Sequence, residues 1–217
     1  MSEKIRDVPN FPKEGILFKD ITTLLQDAGA FRQAVDMMAE TYRGKAVELV
    51  VGVESRGFIF GGALAYLLNA GFVPVRKEGK LPGQKLSEAY ALEYGSAVLE
   101  IHQDAIKPGQ SVVIVDDLLA TGGTARTTAS LVQQLGGRVV GISFLIELKF
   151  LKGADNLSGY PRRRFGRARH RPHADRKRQR GARRRGQLFL RGRIDVRPYP
   201  ARRRGWRRFP VGASRPA

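Results

Sequence analysis

Asp116 and Asp117 stand side by side at the end of an apolar run that includes Val112 to Val115, and Ala120-Thr121-Gly122-Gly123-Thr124 follows two residues later. An unbroken β-branched run suits a strand buried on both faces. A short glycine turn that feeds directly into a helix lets backbone come close to a ligand and points N–H groups outward at the helix's positive end. That arrangement is an anion cradle suited to phosphate. Two carboxylates just ahead of it can accept hydrogen bonds from vicinal hydroxyls and help to hold a hydrated Mg²⁺. Cradle and carboxylates together suit a sugar phosphate. The turn is neither a G-x-x-x-x-G-K-[ST] loop nor a G-x-G-x-x-G fingerprint. A solvated strand end before a capped helix would explain an isolated Asp-Asp pair, but it accounts poorly for the whole run.

The surrounding pattern supplies a frame for these residues. Phe31, Val35, Met38 and Tyr42 fall at helical spacing within 31–42. Residues 47–53 and 72–77 read as strands. Residues 57–71 read as a helix stopped at Asn69 to Gly71. Residues 78–89 are polar, with Gly and Pro, and read as a mobile loop. "YALEYG" and "SAVLEIH" (96–102) look like the arms of a hairpin. Strand 111–117, helix 124–137 and strand 138–148 follow. Strands alternating with helices predict an α/β fold with a central parallel sheet and helices on both faces. Ligands sit beyond the carboxyl ends of such strands, where Asp116, Asp117 and Glu54-Ser55-Arg56-Gly57 all lie.

The chain has 217 residues and no cysteine, which excludes disulfides and thiolate metal sites. Its histidines, His102, His170 and His173, form no zinc pattern. The charged N-terminus is no signal peptide, and the apolar stretch around 58–68 is too short to span a bilayer. A cytoplasmic protein without membrane partners is expected. The net charge of +19 is unevenly placed. Residues 161–217 hold 21 arginines and one lysine against two aspartates, whereas residues 1–160 hold 17 basic and 18 acidic residues. A nearly neutral body, 1–160, thus precedes a strongly basic tail, 161–217.

The 112–124 run resembles the ribose-phosphate signature of the type I phosphoribosyltransferases. "FPKEGILFKDIT" (11–22), "VGVESRGFIFG" (51–61), "FVPVRKEGKLPG" (72–83), "LEYG" (92–95) and "DAIKPGQ" (104–110) together look like the adenine-using members of that family. The resemblance implies the type I fold with a small hood and a flexible loop. It also implies Mg²⁺, a homodimer, and transfer of ribosyl 5-phosphate from phosphoribosyl pyrophosphate to N9 of adenine, giving AMP and pyrophosphate in purine salvage. It would place Asp116 and Asp117 on the ribose hydroxyls, with a share in holding Mg²⁺. Ala120, Thr121, Gly122, Gly123 and Thr124 would take the 5-phosphate. Arg56 would contact the leaving pyrophosphate, with Arg76 and Lys80 as further cations. Glu93 and Tyr94 match a loop that closes over the site, Glu93 serving either as base toward N9 or as stabiliser of a cationic sugar. Phe18 matches a purine-stacking aromatic, Leu17 and Lys19 would offer backbone to the adenine edge, and Leu118 would line its other face. The choice of adenine rests on the resemblance alone.

Two alternatives remain at this point: transfer to another purine such as xanthine, and a nucleic-acid-binding regulator on the same fold. A nucleic-acid partner is expected only if the basic tail is genuine. The resemblance stops at Tyr160, where one more β-branched strand would be expected. The switch to Arg, Pro, Gly and Ala is what a GC-rich gene read out of frame produces. Shifting the Arg162–Ala168 codons by one base permits Val-Val-Val-(Ser or Leu)-Val-Val. The tail is therefore expected to form no core, and the body to keep an unpaired sheet edge.

Overall fold

Valines and isoleucines alternate between two apolar layers. Val50, Val113 and Val115 face one cluster with Leu24, Val35, Met38, Phe60 and Leu64. Val51, Val53, Val112 and Ile114 face another, with Ala129, Leu131 and Val132. This is what a strand buried on both faces requires, and each fully buried Val or Ile contributes about 1.5–3 kcal/mol. A computed structural model of the chain describes residues 2–91 and 96–168. Its seven-stranded sheet runs β5-β6-β4-β3-β7-β8-β9.

The strands are β3 (Leu49–Val53), β4 (Gly71–Lys77), β5 (Lys85–Ala91), β6 (Ser96–His102), β7 (Ser111–Leu119), β8 (Arg138–Leu148) and β9 (Arg162–Ala168). Neighbours from β4 to β9 are parallel, while β5 and β6 are antiparallel additions beside β4. The sheet is thus mixed around a parallel centre. Helices α2 (Ala28–Glu40) and α3 (Gly57–Leu68) cover one face, with the short α1 (Thr22–Gln26), and α4 (Gly123–Gln134) covers the other. A small separate sheet pairs β1 (Arg6–Pro9) with β2 (Leu17–Asp20), and corresponds to the expected hood.

Local chemistry sets the ends of these elements. The Asp27 side chain accepts the Ala30 N–H at 2.9 Å and caps α2. Asn69 takes a left-handed conformation, φ 54°, and ends α3.

Two expectations need correction. Residues 85–89 are not loop: they belong to β5, where Leu86, Glu88 and Tyr90 are half-buried while Ser87 and Ala89 are exposed. Leu86 and Tyr90 pack on the second cluster, and Gln134 of α4 donates to Glu88 at 2.6 Å. Nor is β8 left as an unpaired edge. Arg162–Ala168 form β9, with Ile142 opposite Arg162 and Leu148 opposite Ala168. The ladder uses backbone groups, which arginine carries as well as valine does. The Arg164 guanidinium also reaches the buried Glu147 carboxylate at 2.6 Å. Residues 169–217, and with them most of the expected tail, lie outside the described residues.

Candidate active site

Strand β3 pairs with β7 in parallel, Gly52 opposite Val115, so Glu54 to Arg56, which follow β3, emerge beside Asp116 and Asp117, which lie near the carboxyl end of β7. Arg56, at the start of α3, places Nε 2.8 Å from Asp117 Oδ2. Gly57 lets this happen: a Cβ there would lie 2.8 Å from the Val115 carbonyl oxygen and 3.1 Å from Asp116 Oδ1. Asp116 Oδ1 accepts the Asp117 N–H at 2.8 Å. Burial pushes the pKa of both carboxyls up. The neighbouring charge of Asp117 pushes Asp116 further, while Arg56 opposes the rise at Asp117. Burial therefore leaves the charged form of the pair poorly solvated, and donors brought by a ligand would stabilise it.

The cradle lies beyond it. Gly122 has φ +84° and caps α4, a conformation in which glycine carries no steric penalty. Thr121 is exposed, Gly123 and Thr124 are half-buried, and Ala120 packs at the edge of the first cluster. Two residues that sequence reasoning missed hold this turn from below. Asn156 Nδ2 donates to the Thr121 carbonyl at 2.7 Å. Gly153 lies so close that a Cβ would fall 2.0 Å from the Ala120 carbonyl oxygen.

A third missed residue is Glu54, whose side chain is 9% exposed. It gathers the two cations expected on the leaving-group side. Lys80 Nζ donates to Oε1 at 2.6 Å and Arg76 Nε to Oε2 at 3.3 Å, and the Lys77 N–H reaches Oε2 at 3.1 Å. Arg76 also donates to the Lys80 carbonyl at 2.9 Å. Burial pushes the Glu54 carboxyl up, but these donors outweigh it and hold its pKa down to about 2. The available signal was the one that exposed Asp116: an acid at the carboxyl end of a buried strand.

The hood joins the site through Phe18. The Arg56 guanidinium carbon lies 5.4 Å from the Phe18 ring centroid, and Phe11 meets that ring edge-on at 5.1 Å. Phe18 is half-buried in β2 rather than sunk in the core. Leu17 and Lys19 flank it in the same strand, and Lys19 forms an ion pair with Asp7. Leu118 is half-buried against the first cluster. Glu93 and Tyr94 lie outside the described residues.

Residues 21–166 match the phosphoribosyl transferase domain. An adenine phosphoribosyltransferase of Acidobacterium capsulatum is 62% identical over 151 residues, 70% of this chain and 83% of that protein. One from Clostridium perfringens is 58% identical over 160 residues, 74% of this chain and 93% of that protein. A crystal structure of adenine phosphoribosyltransferase from Thermoanaerobacter pseudethanolicus superposes with a TM-score of 0.75 at 54% identity, covering 76% of this chain and 96% of that one. The Saccharomyces cerevisiae enzyme, solved with adenine and an imino-altritol bisphosphate, gives 0.71 at 42% identity over 75% of this chain and 94% of its own. At these identities, and with the domain match spanning residues 21–166, the chain belongs to the adenine phosphoribosyltransferase family.

Proposed function

We propose that this site transfers the ribosyl 5-phosphate of phosphoribosyl pyrophosphate to N9 of adenine, forming AMP and pyrophosphate for purine salvage. The observation that carries this reading is the Asp116–Asp117 pair beside Arg56, immediately ahead of the Gly122 turn. Asp116 and Asp117 accept the ribose hydroxyls. The Ala120–Thr124 turn and the hydroxyls of Thr121 and Thr124 hold the 5-phosphate at the α4 N-terminus. Arg56, Arg76 and Lys80 face the pyrophosphate. Adenine lies against Phe18, with Leu118 on its other side and the Leu17 and Lys19 backbone along its edge.

In the reaction the bond from ribose C1 to the pyrophosphate oxygen breaks, the bond from C1 to N9 forms, and N9 loses its proton. C1 becomes oxocarbenium-like as the leaving group departs. The protein's contribution is to hold both reactants in line and to place cations where charge develops. Glu93 and Tyr94 belong to the closing loop, with Glu93 acting on N9 or on the cationic sugar.

The donor set also fits Mg²⁺. Among the described residues no group of three or more acidic, His or Cys side chains could hold a metal ion. Asp116 and Asp117 are hard oxygen donors placed to share Mg²⁺ with substrate oxygens. When bound, Mg²⁺ would offset the pyrophosphate charge.

The working unit is a homodimer in the cytoplasm. Among the described residues no helix is long and apolar enough to cross a membrane. Supporting the dimer, α3 exposes Ile59, Tyr66 (84%) and Leu67, large apolar side chains that a second copy could cover. The test is direct: phosphoribosyl pyrophosphate and Mg²⁺ are supplied with each purine base in turn, and nucleotide formed is scored. AMP from adenine is expected. Turnover of xanthine with adenine inert would replace the substrate, and no nucleotide from any base would remove the enzyme reading.

A further inference from the structure

We propose that Glu54 is a positioning residue for the leaving-group side of the site, its buried carboxylate holding Arg76 and Lys80 together as one preassembled pyrophosphate-binding unit. The inference rests on the reading above that these two cations meet pyrophosphate. Each oxygen of the carboxylate is engaged. Oε1 accepts Lys80 Nζ at 2.6 Å and Arg76 Nη2 at 3.4 Å, and Oε2 accepts Arg76 Nε at 3.3 Å and the Lys77 N–H at 3.1 Å. Glu54 follows β3 and precedes Arg56 by two residues, whereas Arg76 and Lys80 come from β4 and the turn after it. The carboxylate therefore ties two separate segments to one edge of the site.

Without it, a guanidinium and an ammonium would repel each other, and the long, half-exposed side chains would spread into solvent. Fixing them in advance lowers the ordering cost that substrate binding would otherwise meet. The exposures divide the work. Lys80 is 47% exposed and Arg76 34%. Lys80 can turn toward an arriving pyrophosphate, while Arg76 stays anchored by Glu54 and by the Lys80 carbonyl at 2.9 Å. The Glu54 N–H is itself fixed to the Val75 carbonyl at 2.9 Å, so the anchor moves with the sheet rather than with the loop.

The test uses Glu54→Gln in the full chain, with steady-state kinetics in both substrates and melting temperature recorded separately. The KM for phosphoribosyl pyrophosphate should rise about tenfold or more, the scale of one lost charge-assisted contact, while the KM for adenine stays within about twofold of wild type. Combining Lys80→Ala with Glu54→Gln should cost less than the two single losses together, since the carboxylate acts in part through that cation. Glu54→Asp keeps the charge but shortens its reach, and gives a smaller loss in the same direction should the Gln variant fold poorly. An unchanged or lowered KM for phosphoribosyl pyrophosphate in Glu54→Gln, or fully additive effects with Lys80→Ala, overturns the proposal. Wild-type affinity for phosphoribosyl pyrophosphate in both Arg76→Ala and Lys80→Ala would instead remove the pyrophosphate reading itself. Losses there with a silent Glu54→Gln would sink the role of Glu54 alone.

Discussion

Replacing Asp116 with Asn should make the protein more stable and the enzyme much less active. Burial, then the charge of Asp117, push the Asp116 carboxyl well above its ordinary range. The folded state therefore holds more protons than the unfolded one as pH climbs past that range, and stability falls as pH rises there. Asparagine removes the cost while its Oδ1 can keep the 2.8 Å bond from the Asp117 N–H. Relief of this kind at a functional site is worth about 1–2 kcal/mol, or a Tm rise of about 2–8 °C for a body of this size. Activity moves the other way. Losing a charged acceptor for a ribose hydroxyl costs about 1.5–3 kcal/mol, which lowers kcat/KM by about 10- to 150-fold. Asp117→Asn should differ, because it strips Arg56 of its partner at 2.8 Å, so it should lose activity without the gain in Tm. Melting curves at about pH 4 and about pH 7.5 provide the assay, since the gain must be present at the higher pH and vanish at the lower. A Tm for Asp116→Asn below wild type at neutral pH, or a gain equal at both pH values, would refute the reasoning.

Gly153→Ala should raise the KM for phosphoribosyl pyrophosphate and cost about 1–3 kcal/mol of stability, because its methyl would meet the Ala120 carbonyl at 2.0 Å; kinetics and a denaturant melt check both. Phe18→Ala should raise the KM for adenine through loss of stacking worth about 0.5–1.5 kcal/mol, and a variant that merely fails to fold would mean the ring is structural. Loss of the Glu54 ion pairs on acidification should weaken the fold. Folding lowers this pKa from 4.5 to about 2, so its contribution is whole above pH 4.5 and disappears toward pH 2, and an acid titration of Glu54→Gln against wild type should show a gap that closes in that window. Tyr66→Lys should yield monomers in sedimentation, since it puts charge on the apolar face of α3, and an intact dimer would move the interface elsewhere. Hydrogen exchange across 78–84 should slow with phosphoribosyl pyrophosphate and Mg²⁺ if this segment closes as a lid, and unchanged protection would leave it a passive connection.

The residues legible in the sequence were those whose signal is local. The Val112–Val115 run, the acid pair and the glycine turn sit within a dozen positions, and their order alone implies strand, turn and helix. Glu54 was quoted within a motif yet not singled out, because its role depends on Arg76 and Lys80, more than twenty residues away across the sheet. Gly153 and Asn156 carry no pattern of their own, and their importance comes from backbone contact with a turn thirty residues earlier. Residues 85–89 of β5 read as loop because Lys85, Ser87 and Glu88 dilute the alternation, and only packing of Leu86 and Tyr90 on the second cluster reveals the period. Strand β9 defied composition outright. Arginine has little preference for strands, but an open ladder along β8 accepts any residue with an N–H and a carbonyl.

The contact of Gly153 with Ala120 also sets a limit on how short a working chain can be. The segment after β8 is where a designer trimming the protein would cut first, since the last core helix has already passed. Yet Gly153 and Asn156 brace the phosphate turn, and Leu157 is fully buried beneath α4. A chain ended at Leu148 would keep every residue assigned to substrate and still lose the surface on which the cradle rests. The minimal catalytic unit therefore extends past Leu157, and the shape of the phosphate site is enforced by backbone that never touches phosphate.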